Sequence, residues 1–94
     1  MRTYSSEDFD WDPGKSAINE AKHGLTFASA SAVWAGPVVI LPSKHPGEPR
    51  HLAIGLIEGL HWTVVFARRG DRLRLISARR SRENEKTLFN RHIS

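Results

Sequence analysis

The chain has 94 residues, a formal net charge of +4, 39% hydrophobic and 26% charged residues, and no cysteine. That length suits a single domain over residues 1–94 with a modest core, and the composition excludes wholesale disorder. Without cysteine there is neither a disulfide scaffold nor a Cys-based zinc site. Charge is unevenly placed: residues 1–47 hold four Lys/Arg against five Asp/Glu, residues 48–94 ten against five. Such polarity suits one side facing a nucleic acid, or an acidic protein partner. No apolar run approaches the ~20 residues of a membrane span and Met1 to Glu7 lacks a signal-peptide core, so a soluble, cytoplasmic chain is expected.

In chain order, Phe9-Asp10-Trp11-Asp12 alternates aromatic and acid, which describes a short strand with Phe9 and Trp11 on one buried face. Asp8, Asp10 and Asp12 form its outer face. Asp12-Pro13 then starts a helix, as N-cap and first helical residue. Ala17, Ile18 and Ala21 make its apolar stripe, and Gly24 ends it. Lys22 and His23 fall in the last turn. Cations there favour the helix dipole, and a histidine can also move protons near neutral pH. Thr26 caps a second helix with Phe27, Ala30, Val33 and Trp34 inward, stopped by Gly36-Pro37. Val38 to Leu41 reads as a short buried strand bounded by prolines.

Pro42 to Pro49 is loop by composition and is assigned as a mobile or partner-contacting segment. His45, His51 and His61 lack metal-ligand spacing, so no metal or other cofactor is expected. From Arg50 the chain reads as a three-strand meander: Arg50 to Glu58, Leu60 to Arg68 and Arg72 to Ala78. Glu58-Gly59 and Gly70-Asp71 are its turns. Leu60, Trp62, Val64 and Phe66 share a core face. His61 points the other way, as a polar residue on a half-exposed face. Ser81, with Glu83 and Glu85 after it, reads as a hydroxyl cap opening a last helix over about Arg82 to His92. That helix returns Leu88 and Phe89 to the sheet.

The stretch from Arg68 to Arg82 concentrates the positive charge, with Asp71 its single acid. Arg79 and Arg80 are expected to leave the strand end beside unpaired backbone N–H groups and the positive end of a helix, a place that favours phosphate. A lone arginine there would be a solvated edge cation. The cluster as a whole is a polyanion surface.

The motifs in order are Phe9-Asp10-Trp11-Asp12 with Lys15, then Asn19-x-x-Lys22-His23-Gly24-Leu25-x-Phe27-x-x-Ala30. Arg50-x-x-x-Ile54-Gly55 follows. Last comes Gly70-Asp71-Arg72-Leu73-Arg74-Leu75-Ile76-Ser77-Ala78-Arg79-Arg80, with Glu85-Lys86 beyond. Together these resemble the BrnT family of type II toxin–antitoxin toxins, from about Phe9 to Phe89. The resemblance implies an α+β, RelE-like fold with helices packed on one face of a mainly antiparallel sheet. It also implies RNA cleavage without a metal, inhibition of translation, and a BrnA-type antitoxin with a ribbon-helix-helix DNA-binding part. Operator DNA would be reached only through the antitoxin complex.

Metal-free cleavage by the RNA 2′-OH needs a base, cations for phosphate charge and an acid for the leaving oxygen. Arg50 and Arg79 are assigned to the phosphate, and Lys22 and His23 to proton transfer. Arg68, Arg80 and Arg82 are assigned to the RNA backbone, with Glu85 orienting an arginine. On this reading Arg79→Ala removes cleavage and leaves the fold intact. Phe89 stands where relatives often carry Tyr, so a phenolic base would be lost and only stacking kept. Two other readings explain the arginines: a nucleic-acid-binding module without chemistry, and an inert relative kept for pairing with its antitoxin.

Overall fold

The computed structural model describes residues 4–44 and 46–93, so the reading of His45 lies outside the described residues. A 3₁₀ turn, Ser6–Asp8, leads into β1 (Phe9–Asp10), then α1 (Pro13–His23) and α2 (Phe27–Ala30), which continues as a second 3₁₀ turn, Ser31–Ala35. Four strands follow, β2 (Val38–Ser43), β3 (Arg50–Ile57), β4 (Leu60–Arg69) and β5 (Arg72–Arg80), before α3 (Glu83–Ile93). The strands form one five-stranded sheet in the order β1-β5-β4-β3-β2. β1 runs parallel to β5 and every other pair is antiparallel, so the fold is α+β with a mixed sheet.

Local chemistry sets the element ends. Asp12 Oδ1 accepts from the N–H groups of Gly14 and Lys15, Pro13 needs no donor partner, and Gly24 closes α1 at φ +81°. The β3–β4 turn places both Glu58 (φ +51°) and Gly59 (φ +79°) in the left-handed region. Both central residues of a two-residue hairpin take positive φ in a type I′ turn.

Two cores lie on opposite faces of the sheet. On the first, Phe27, Ala30, Val33 and Trp34 pack on Phe9, Trp62, Val64, Phe66, Leu73, Leu75 and Ala78. Trp34 meets Phe66 edge-on and Phe9 at a tilt, each at 5.2 Å between ring centroids. On the second, Phe89 of α3 packs on Val39, Ile54 and Leu41. Ile54 lies opposite Thr63, whose neighbours Trp62 and Val64 point to the first face. The C-terminal helix therefore sits across the sheet from the other two, against the expectation of one helical face.

Four further expectations change. The stripe Ala17, Ile18 and Ala21 faces outward, with Ile18 60% exposed, while Ser16 and Asn19 are buried. Polar anchoring outweighs apolar periodicity here: Phe27 N–H donates to Ser16 Oγ, and Asn19 bonds to both backbone groups of Ala78. β2 is a half-exposed edge strand that runs through Pro42, a residue tolerated where no outward partner strand needs its N–H. Arg79 and Arg80 lie within β5, opposite Thr63 and Trp62, not beyond its end. Ser81 does not cap α3. Its hydroxyl faces Thr63 Oγ1 at 2.8 Å, and Glu85 instead reaches back to the Arg82 N–H.

A bulge decides which way the arginines point. Val65 pairs with Ser77 and Phe66 with Leu75, leaving Ile76 without a partner. The extra residue shifts parity. Leu73, Leu75 and Ala78 can then all reach the first core, while Arg74 and Arg79 share the second face.

Candidate nucleic-acid interface and active site

β5 has basic groups at both ends. At its C-terminal end Arg79 meets Glu85 through two parallel bonds, Nη1 to Oε1 at 2.8 Å and Nη2 to Oε2 at 2.9 Å. Glu85 Oε1 also accepts from Thr63 Oγ1 at 3.1 Å and from the Arg82 N–H at 2.8 Å. A carboxylate only accepts, so Thr63 spends its proton on Glu85 and Ser81 donates to Thr63. Glu85, Thr63 and Ser81 are all buried.

Burial alone would raise the Glu85 pKa from 4.5, but the bonds from Arg79, Arg82 and Thr63 outweigh it and hold the carboxyl at about 2. The same pairing raises the Arg79 pKa against the opposing effect of burial. Of five guanidinium N–H groups, Arg79 gives two to Glu85 and one to the Arg80 carbonyl. Two remain for another acceptor. This geometry alters the expectation for Arg79→Ala: without Arg79 a buried carboxylate loses its counter-ion, so fold and activity would be lost together.

Asn19 brings α1 to this end of β5. Its Nδ2 donates to Ala78 O (2.9 Å) and Leu25 O (2.8 Å), and its Oδ1 accepts from Ala78 N–H (3.0 Å). The amide thus occupies the edge of β5 beyond the two residues paired by β1. Near its start α1 places Asp12 and Lys15 across a cleft from Leu75 and Ile76. The helix therefore advances alongside β5 in the same direction. Lys22 and His23 follow Asn19 by three and four residues on the same helical face, at the end of α1 that Asn19 ties to Ala78, the residue before Arg79. Both are exposed, and neither has a hydrogen bond or ion pair among the described residues.

The remaining arginines differ. Arg80 lies with its guanidinium 5.7 Å from the Trp62 ring centroid and donates to His61 O at 3.2 Å. Arg68 stands 5.9 Å from the Phe66 centroid. Both are exposed and shield aromatic edges of the first core. Arg82 is exposed at the start of α3. Phe89, 2% exposed and edge-on to His61 at 5.3 Å, is core and has no free face for a base to stack on.

Arg50 is not brought to Arg79. Arg79 faces Thr63, whereas His51, next to Arg50, faces Phe66. About four residue steps along the strands and two strand spacings across put their Cα atoms ~16 Å apart. Arg50 lies instead at the hairpin end of β5, in a cleft of about 100 Å³ lined also by Lys15, Arg69, Arg74, Asp12 and Glu48. Arg69 pairs with Glu48 at 3.1 Å and Arg74 with Asp10 at 3.0 Å.

Several of these residues escaped the sequence reading. Thr63 carries no sequence expectation, and Asn19 stands there only as a motif position. A buried polar residue facing a strand's edge or outer surface was the available signal for both. Among the described residues no group of three or more His, Asp or Glu is placed to hold a metal ion. No helix among them is long and apolar enough to cross a membrane.

The fold and site define a small α+β protein with a mixed sheet and basic groups at both ends of its fifth strand. Residues 11–85 match the family described as ribonuclease toxin, BrnT, of type II toxin–antitoxin system. The chain belongs to this family of ribonuclease toxins, which work on RNA and are paired with an antitoxin. No curated protein matches it significantly.

Proposed function

We propose that this toxin cleaves RNA without a metal, at the corner formed by the end of α1, the end of β5 and the start of α3. The observation that carries the proposal is the Arg79 guanidinium, held by Glu85 with two N–H groups free. In this mechanism the RNA 2′-oxygen loses its proton to a base and bonds to the adjacent phosphorus. The bond from phosphorus to the 5′-oxygen breaks, and an acid protonates that oxygen. Arg79 takes up the added phosphate charge. His23 and Lys22, exposed on the neighbouring helix end, exchange the protons, a task suited to a histidine near neutral pH. Arg80 and Arg82 hold flanking backbone, with Arg68 further along the first face. Pre-ordering by Glu85 means that Arg79 spends little freedom on binding.

The finer biology follows the family. A RelE-like toxin of this size acts in the cytoplasm, reduces translation by removing RNA, and is masked by a BrnA-type ribbon-helix-helix antitoxin. The net positive charge of residues 48–94 supports an RNA-facing side.

The test is cleavage of 5′-labelled RNA in excess EDTA, alone and with translating ribosomes. The variants are Arg79→Lys, which keeps charge near Glu85, and His23→Ala, which touches no described partner. Wild type should release 2′,3′-cyclic phosphate ends, with both folded variants at least tenfold slower. Full activity in folded Arg79→Lys and His23→Ala would remove the corner as the site. Cleavage that stops in EDTA would remove the metal-free mechanism.

A further inference from the structure

The cleft at the hairpin end of β5 is distinct from the corner and bears on how a longer RNA is held. Four cations line it, Lys15, Arg50, Arg69 and Arg74, with two acids, Asp12 and Glu48. The acids are already occupied. Asp12 Oδ1 takes the Gly14 and Lys15 N–H groups, and Glu48 takes Nε and Nη2 of Arg69. Arg74 is engaged by Asp10. Lys15 and Arg50 have no ion pair among the described residues, and Arg50 Nε is buried with no hydrogen-bond partner among them. The Lys15 ammonium and the Arg50 Nη groups likewise have no acceptor among the described residues, so the cleft keeps cationic charge for an incoming anion.

Size narrows the class. At about 100 Å³ the cleft falls well below the ~300–1,000 Å³ of small-molecule pockets. Its lining carries cations and no aromatic ring on which a base could stack, which suits a phosphate oxyanion. The Cα atoms of Arg50 and Arg79 lie ~16 Å apart, a distance that extended single-stranded RNA covers in a few nucleotides.

We propose that this cleft is a phosphate subsite, in which Arg50 and Lys15 hold a backbone phosphate of single-stranded RNA several nucleotides from the one cut at the corner. The inference rests on the reading of the corner as the cleavage site for its direction, but its binding chemistry stands apart. Arg69 and Arg74, pinned by Glu48 and Asp10, form the walls and keep the cleft open.

The experiment measures binding of a short 2′-O-methyl RNA, which cannot be cut through its 2′ position, by fluorescence anisotropy over a range of salt. Lys15→Gln, Arg50→Gln and the pair are compared with wild type. Arg91→Gln, in the last turn of α3, controls for overall charge. Wild type should bind, and the double variant should bind about tenfold more weakly, with its log–log salt slope flatter by ~0.7, the value for one lost phosphate contact on a single strand. Arg91→Gln should leave the slope near wild type. Lys15→Gln, an exposed helix position, keeps the test valid should Arg50→Gln fail to fold.

Wild-type affinity and slope in the folded double variant would overturn the subsite, as would wild-type affinity in folded Lys15→Gln where Arg50→Gln does not fold, or an equal loss in Arg91→Gln. So would wild type that does not bind the RNA, or variants that lose antitoxin affinity while keeping RNA affinity. Wild type that binds this RNA with the expected slope but never cuts unblocked RNA, with or without ribosomes, leaves the subsite standing and removes the cleavage site.

Discussion

The two ends of β5 put the same side chain to opposite uses. At the C-terminal end Arg79 is 20% exposed and locked to a 7% exposed Glu85 by two bonds under 3 Å. At the hairpin end Arg69 pairs with Glu48 while 54% and 42% exposed, and a neighbour in the cleft, Arg50, keeps a buried Nε unpaired. Surface pairs contribute ~0–1 kcal/mol because water and salt screen them. Breaking a buried pair costs far more, because the survivor stays charged and desolvated. Arginine clusters that look alike in sequence therefore divide into a rigid, pre-ordered end and an open end with binding capacity to spare.

The largest effect expected from this contrast is at Glu85. Glu85→Ala should cost ~3–5 kcal/mol, because it strands Arg79 and leaves Thr63 Oγ1 and the Arg82 N–H without their acceptor. Replacing both partners by apolar residues, Arg79→Met with Glu85→Leu, should recover much of that stability while losing activity. Urea unfolding of wild type and the two variants checks both expectations. A single Glu85→Ala that melts like wild type would make the network irrelevant to the fold. Trp62→Ala belongs to the same scale, at ~3–5 kcal/mol, since it empties part of the first core.

Acid should act next on the buried end. The Glu85 carboxyl titrates at about 2 in the folded chain against 4.5 as its ordinary value. A lowered folded pKa stabilises the protein fully above the unfolded value, and that contribution fades as pH falls from 4.5 towards 2. The loss is of the order of 3 kcal/mol. Glu85→Gln should flatten this part of the stability profile. Parallel profiles for Glu85→Gln and wild type would show that other carboxyls carry the acid sensitivity.

The features that could be read from the sequence were those set by neighbours in the chain. Asp12-Pro13 and Gly24 bound α1 because capping needs only adjacent backbone, and Gly70-Asp71 makes its turn for the same reason. The inward face of α1 could not be read. Apolar spacing pointed to Ala17, Ile18 and Ala21, but the helix is anchored through Ser16 and Asn19 to groups far along the chain. The separation of Arg50 from Arg79 could not be read either, since the offset between β3 and β5 and the bulge at Ile76 emerge only when the strands assemble. Glu85 was recognisable as a helix-start acid that orients an arginine. Its bonds to Thr63 and Arg82 depend on where α3 lands.

Asn19 tests how firmly the corner is built. Asn19→Ala removes three hydrogen bonds and exposes the Ala78 edge, so a loss of ~2–3 kcal/mol is expected. Asn19→Asp keeps the acceptor for the Ala78 N–H and sets a carboxylate oxygen against the Ala78 and Leu25 carbonyls. It should therefore destabilise nearly as much as alanine. Hydrogen exchange at the Ala78 amide reports this locally, and protection equal to wild type in Asn19→Ala would show that α1 is held by other contacts.

The smallest effect is the one that defines the open end. Arg69→Gln should change stability by less than ~1 kcal/mol, and most of that should disappear at high salt. Its consequence for binding runs the other way. Freed from Arg69, the Glu48 carboxylate would turn its charge on the cleft and compete with an incoming phosphate. RNA affinity should then fall by more than one lost surface cation accounts for, and Arg69→Gln with Glu48→Gln should restore part of it. If the double variant binds no better than the single one, Glu48 does not face the bound anion, and the pair acts only as a wall of the cleft.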